Sequence, residues 1–212
     1  MANRAYRLGR RQQGIDETRT RIIDASHALF AETGFYQTSV EGVAQRAGVS
    51  RATVYHQFGS KAALLDAVIS IALSGTTGTR MRRVREHADA ATALRLYVPD
   101  VCRFWASEYD LFRHLFAAAE IDPEASAHVE AYDGRRRELV VWLAKRLDDQ
   151  EYLREGVTQR QAADTIWMLT SFRSFDHLHA RSGMSVRAAG ALLAGLAATV
   201  LRDGAGAAGG GD

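Results

Sequence analysis

Residues 38–61 hold the side chains whose types and spacing suit chemistry on a polyanion. They run T-S-V-E-G-V-A-Q-R-A-G-V-S-R-A-T-V-Y-H-Q-F-G-S-K. Thr38-Ser39-Val40-Glu41 reads as a capping box: the Thr38 hydroxyl accepts from the Glu41 amide, and Glu41 reaches back. Val40, Val43, Ala44 and Ala47 follow at the spacing of a buried helical face. Gly48 then supplies a left-handed residue at little steric cost. Ser50 caps a second short helix, Val49 is set to staple onto Val54, and Gly59 ends it. Short helix, tight glycine turn and short helix form the helix-turn-helix pattern. At about 100° per residue, Val54 and Phe58 face inward while Ala52, Thr53 and His56 face the opposite way. Arg51 and Tyr55 lie on the flank, within reach of a phosphate or a base edge. Two apolar anchors beneath small or hydrogen-bonding residues are what a helix needs to enter a major groove.

The charge distribution points the same way. Residues 1–61 carry nine Lys/Arg and five acids, net +4, whereas residues 62–212 carry 18 and 20, net −2. A basic N-terminal third on a mildly acidic body is the footprint of a nucleic-acid module beside a different module. Solvated basic tails leave the same trace.

The elements that must position these residues read as helices throughout. The chain has two prolines and about three dozen alanines, and it lacks alternating strand patterns. An all-α fold follows. Residues 1–15 read as a flexible basic arm, whose Arg4, Arg7, Arg10 and Arg11 either reach the minor groove or add only nonspecific affinity. A first helix is expected from about Asp16, its cap, to Thr33, with Gly34 as the stop. Residues 16–62 form the predicted helix-turn-helix domain and 63–202 a helical body. Ser60 caps a fourth helix with Leu64, Leu65, Val68, Ile69 and Leu73 inward. Further helices are expected over about 88–106, 108–119, 123–149, 158–178 and 185–202. Asp122-Pro123, Thr158 and Ser185 mark three of their starts. Pro99 should kink or split the first of them. Residues 203–212 read as a disordered tail.

Residues 35–65 resemble the DNA-binding signature of TetR/AcrR-type transcriptional regulators. The likeness lies in the aromatic after glycine, the Thr cap, A-G-V-S, T-V-Y, the closing Phe58 and the S-K-A-A-L start of the fourth helix. It covers roughly residues 16–70, about a quarter of the chain. The resemblance implies an N-terminal three-helix DNA-binding domain and a C-terminal bundle for ligand binding and dimerisation. It implies that Thr38, Tyr55 and Lys61 contact phosphates and that Arg51, Ala52 and Thr53 lie closest to base edges. Ser50 and His56 complete the predicted contact set. The plain alternative for Arg51 and His56 is a solvated side chain. The family often has His or Tyr just before the closing Phe; this chain has Gln57 there, with His56 one place earlier.

The body holds Phe104, Trp105, Phe112, Phe116, Trp142, Trp167, Phe172 and Phe175 at helical spacings. Plain core explains these spacings too. A pocket between bundle helices is apolar with a few polar groups. The predicted lining is Phe104, Trp105, Phe112, Phe116, Trp142, Trp167, Phe172 and His177. Tyr109, His114, Glu120 and Arg173 are further polar candidates. The last helix is rich in small residues. With Ile166, Leu169, Thr170 and Arg173 from the preceding one, its Leu192, Leu196 and Val200 form the predicted homodimer contact. Two-fold symmetry would match a palindromic double-stranded operator. The predicted function is a repressor released by a small-molecule effector; the alternative is a regulator without an inducer, its body serving protein contacts.

Other classes are disfavoured. No nucleophile–base motif or phosphate loop stands out, so no enzyme and no cofactor are expected. His177 and His179 do not share a helix face, so no metal site is expected. Cys102 is the only cysteine, which excludes a disulfide framework and suits a reducing cytoplasm. No run of 18 uncharged apolar residues occurs, and the N-terminus lacks an apolar signal core.

Overall fold

The computed structural model describes residues 2–74 and 76–205, with side chains from residue 16 onward except 76 and 77. The helices are α1 (Ala2–Gln37), α2 (Val40–Ala47), α3 (Arg51–Phe58), α4 (Lys61–Ser74) and α5 (Thr76–Glu86). Then come α6 (Ala90–Ser107), α7 (Tyr109–Ala119), α8 (Pro123–Asp149), α9 (Gln159–Leu169), α10 (Phe172–Asp176) and α11 (Val186–Ala197). A π-turn at His177–Arg181 follows α10, and a 3-10 turn at Ala198–Val200 closes α11. The fold is all-α. Among the described residues, extended pairing is limited to an isolated bridge between Leu153 and Leu201.

The chain divides into two compact units. The first comprises residues up to Ala72 together with Tyr109–His128; the second comprises Leu73–Glu108 and Val129 onward. The first therefore reaches past the boundary at residue 62 expected from the sequence, and it recruits α7. In it, α1 buries Ile22, Ile23 and Phe30, and α7 packs on α1 through Leu111, Phe112 and Leu115. Helix α1 breaks at Gly34, whose φ is +86°. A Cβ there would come within 3.1 Å of the His114 ring, so both the backbone angle and the close approach demand glycine. The expected start at Asp16 is corrected: α1 begins at Ala2, so Asp16 lies inside the helix and not at its N-terminus. The backbone of residues 2–15 is helical, where the sequence suggested an arm.

In the second unit, α6 is capped by Asp89, whose carboxylate accepts from the Thr92 amide at 2.6 Å. Both α5 and α11 pack against it. Pro99 does not split α6. The buried stripe from Ala90 to Trp105 holds both halves in one helix, although Pro99 cannot donate to the Arg95 carbonyl. The helix expected over 158–178 is broken instead. Thr158 and Gln161 form a capping box at its start. At its end the Thr170 hydroxyl bonds back to the Ile166 carbonyl at 2.7 Å, and Ser171 caps α10 by accepting from Ser174. Helix α5 carried no clear sequence signal: it is polar and arginine-rich, with Val84 fully buried. Of the expected tail, residues 206–212 lie outside the described residues. Ala205 is buried, and its carbonyl accepts from Arg95.

Candidate functional site

The first site is the surface of α3. Helix α2 presents Val40, Val43, Ala44 and Ala47 to the core, as their spacing required. Its cap is Ser39, which accepts from the Gly42 amide at 3.0 Å. This corrects the reading of Thr38. That residue is 4% exposed, and its hydroxyl donates to the Gly34 carbonyl at 2.8 Å. Thr38 is spent on the bend after α1, while exposed Ser39 one place on takes the capping role. Gly48 closes α2 in the left-handed region at φ +66°. Ser50 caps α3 by accepting from the Thr53 amide at 3.1 Å, and its hydroxyl lies 2.8 Å from the Thr53 hydroxyl.

The register of α3 sorts its residues by role. Val54 is buried at 2% exposure and Phe58 is half-buried. Arg51, Ala52, Tyr55 and His56 are exposed, at i, i+1, i+4 and i+5, which is one continuous helical face. Thr53 is half-buried beside its cap. Arg51 donates to the Tyr55 hydroxyl at 3.4 Å, and its guanidinium stands 5.4 Å from the ring centroid. The Tyr55 bond holds the Arg51 pKa above its ordinary value, so it stays a cation. Lys61 sits over the Phe35 ring at 4.2 Å and donates to the Tyr36 carbonyl at 3.4 Å. Partial burial lowers its pKa.

Two supporting residues escaped the sequence analysis. Arg19 donates to the Gln57 carbonyl at 3.0 Å and lies 4.3 Å over Phe58, so it braces the C-terminus of α3. Arg21 donates to the Ala47 carbonyl at 3.3 Å, at the C-terminus of α2. Cations at helix C-termini satisfy orphan carbonyls and suit the dipole. The signal was available only as two arginines on the first helix, with no hint of their partners.

The second site is a cavity of about 150 Å³ within the second unit. Its walls are Tyr97, Val101, Phe104, Tyr132, Arg136 and Leu139, joined by Leu73 and Met81. Arg85 and Arg135 also line it and are exposed, which puts them at its solvent edge. Arg136 is 7% exposed. Its Nε donates to Asp133 at 3.2 Å, and its Nη1 donates to the Trp167 carbonyl at 2.7 Å and the Thr170 hydroxyl at 3.0 Å. Its buried Nη2 lies 3.1 Å from the Asp133 carboxylate without forming an aligned hydrogen bond. The Tyr97 hydroxyl is buried beside Thr170 and Arg136, and among the described residues it makes no hydrogen bond of good geometry. Burial pushes its pKa up, with Arg136 and Thr170 opposing; burial pushes Tyr132 well up too.

Of the predicted lining, Phe104 lies on this cavity. Trp105 packs behind it, with ring centroids 5.0 Å apart, and Phe172 packs on Trp105 at 5.4 Å. Trp167 lies under Arg136 and Arg137, Trp142 lies under Arg146, and His177 is exposed. Phe112 and Phe116 belong to the first unit, 6.3 Å apart. Tyr109, His114 and Glu120 share that unit, and Arg173 is exposed. These seven lining residues and four polar candidates do not line this cavity. Aromatic residues at helical spacing followed the core, and the tyrosines and arginines that line the cavity carried no motif.

The predicted dimer contact also divides. Ile166, Thr170 and Val200 are 0%, 1% and 4% exposed, so they are filled from within the protomer and are withdrawn from that set. Leu169 is half-buried and Arg173 exposed. Leu192 and Leu196 are 42% and 44% exposed, with exposed Gly195 between them. Met168 on α9 is 57% exposed. No single helix among the described residues is long and apolar enough to cross a membrane.

Caps, turn and exposed polar face together define a helix-turn-helix DNA-binding domain. Residues 22–68 match the family model of bacterial regulatory proteins of the tetR family. The HTH-type transcriptional regulator UidR of Escherichia coli strain K12 is 42% identical over 58 residues, which are 27% of this chain and 30% of UidR. The chain thus spans about a third of the length of the curated relatives it matches first. The TetR family transcriptional regulator PfmR from Thermus thermophilus is 26% identical, with a TM-score of 0.63 over 86% of this chain and all of PfmR. FadR from Bacillus subtilis, solved with stearoyl-CoA, shares the fold at 18% identity and a TM-score of 0.70, over 86% of this chain and 99% of FadR.

Proposed function

We propose that the protein is a homodimeric repressor that binds a palindromic operator and leaves it when a small molecule occupies the second unit. The carrying observation is the reading face of α3: Arg51, Ala52, Tyr55 and His56 are exposed together, while caps and buried anchors hold the helix beneath them. Arg51 and Ala52 meet base edges; Tyr55, Ser39 and Lys61 hold the backbone. Lys61 swings from Phe35 toward a phosphate, where the cation gains more than it does over a ring. Leu192 and Leu196 cover each other across a two-fold axis, and Gly195 lets the helices approach. The cavity supports the effector, as does the ligand carried by FadR. Helix α4 carries both Lys61 and the cavity residue Leu73, which makes it the element an effector would bias. Release requires that the effector bind the DNA-incompetent state more tightly.

The test is selection of bound sequences from a random duplex pool at a stated salt concentration. A palindrome with half-sites about one helical turn apart is expected for a two-fold reader. Enrichment of single, unpaired half-sites would refute the dimer, and the absence of any enriched sequence would refute the sequence-specific reader.

A further inference from the structure

We propose that Glu124, in the first turn of α8, is the resident counter-charge of Lys61, which an operator phosphate displaces, so that the placing of α8 sets the grip on the DNA backbone. The proposal rests on the reading of Lys61 as a phosphate contact. The start of α8, up to His128, belongs to the first unit. It is docked there on α4 and on Phe35. His128 bonds through Nδ1 to the Asp66 carboxylate of α4 at 2.8 Å, and its ring meets the Phe35 ring edge-on at 6.4 Å. The Lys61 ammonium stands over the same ring at 4.2 Å. Three helices thus converge on one aromatic ring: α8 through His128, α4 through Lys61, and the end of α1 through Phe35 itself.

Glu124 lies one turn before His128, on the same face of α8. Asp122 fixes that turn by accepting from the Glu124 amide at 3.0 Å. Glu124 is exposed and Lys61 is half-buried. The carboxylate acts on the ammonium through space and supports its charge, while burial pulls the Lys61 pKa down. Opposite charges near the surface keep a modest attraction. Lys61 therefore leaves a ring, the Tyr36 carbonyl and a carboxylate when it turns to a phosphate. The nearer Glu124 stands, the less the phosphate gains. Helix α8 runs on from His128 to Tyr132, Arg135, Arg136 and Leu139, all of which line the cavity. A ligand that moves α8 carries Glu124 with it.

The experiment is competition binding of the full chain to the selected operator and to a scrambled duplex, at several salt concentrations. The variants are Glu124→Gln, Lys61→Gln and the two together. Glu124→Gln is expected to tighten both duplexes alike, about twofold for each protomer and about fourfold for a dimer, the scale of one exposed ion pair. The gain is expected to shrink as salt rises. It is expected to vanish in the Lys61→Gln background, because the double-mutant cycle isolates the pair. Thermal unfolding is expected to stay unchanged, and a residue that only supports the fold would not raise affinity when removed. The free protein offers a second reading, since Lys61 and Lys145 are its two lysines. Trace acetylation, followed by peptide mass with Lys145 as the reference, is expected to quicken at Lys61 in Glu124→Gln. Without the carboxylate more of that amine is neutral. Unchanged acetylation would overturn the proposal. An equal gain in the Lys61→Gln background would overturn it too, because a surface acid would then simply repel DNA. Loss of affinity in Lys61→Gln with no response to Glu124→Gln overturns the counter-charge alone. Full affinity in Lys61→Gln overturns the phosphate reading, and the counter-charge with it.

Discussion

Tyr55→Phe separates affinity from sequence choice on the proposed reading face. Tyr55 is 40% exposed, and its hydroxyl accepts from Arg51 at 3.4 Å. That long, solvated bond carries little stability, so the melting temperature should not move. In the proposed complex the hydroxyl contacts a phosphate, which every sequence supplies. Each protomer of the proposed dimer loses one such hydrogen bond at about 1 kcal/mol, so operator binding loses about 2 kcal/mol, roughly thirtyfold in affinity. The loss should be equal for the operator and for each single-base variant of it. No charge is removed, so the slope of log affinity against log salt should not change. Lys61→Gln, by contrast, should lower that slope by about 1.8, about 0.9 for each protomer of the dimer. The assay is competition binding across a panel of duplexes at several salt concentrations. A Tyr55→Phe loss confined to particular base pairs would refute the phosphate role and make Tyr55 a base reader. A loss of melting temperature with no loss of affinity would make it a structural residue.

Three further outcomes are expected. Ser39→Ala should destabilise the first unit by about 1 kcal/mol, the usual worth of an N-cap, measured by urea unfolding; no change would leave α2 uncapped by that hydroxyl. Leu192→Glu with Leu196→Glu should convert a dimer to monomers in sedimentation and abolish operator binding, whereas an unchanged dimer would move the contact elsewhere. Burial pushes the Cys102 thiol up to about 11. At pH 8 only about one part in a thousand is thiolate, so alkylation should be slow and should quicken with unfolding; fast reaction in the folded chain would contradict its burial.

The first unit was legible because its signals are local. Ser50, Gly48 and the Val40–Ala47 stripe each act within one turn of their own position, and all three stand as read. Thr38 failed by one residue because Thr38 and Ser39 are both good caps; only the bend at Gly34, which claims the Thr38 hydroxyl, decides between them. The break at Thr170 was hidden for a similar reason. Its hydroxyl and Ser171 look like tolerated helix residues until Arg136, 34 positions away, is seen to bond the Thr170 hydroxyl. The cavity was illegible because neighbours define it. Arg136 is one of three consecutive arginines, residues 135–137, and α8 buries 136 while exposing 135.

The division of labour on α3 has a physical consequence. An eight-residue helix is well below the about 12–15 residues at which an isolated helix becomes even marginal, so α3 cannot stand on its own propensity. It stands on Ser50 at one end, Val54 in the core, and Arg19 at the other end. None of those three belongs to the exposed face. The side-chain bond within that face joins Arg51 to Tyr55, and it is solvated. Arg51, Ala52 and His56 can therefore be replaced with little cost to folding, so on the proposed reading operator choice and fold stability are set by separate residues. Arg19 is the exception: it touches the Gln57 carbonyl and Phe58, so its loss would loosen the C-terminal turn that carries His56 and lower affinity without changing base preference.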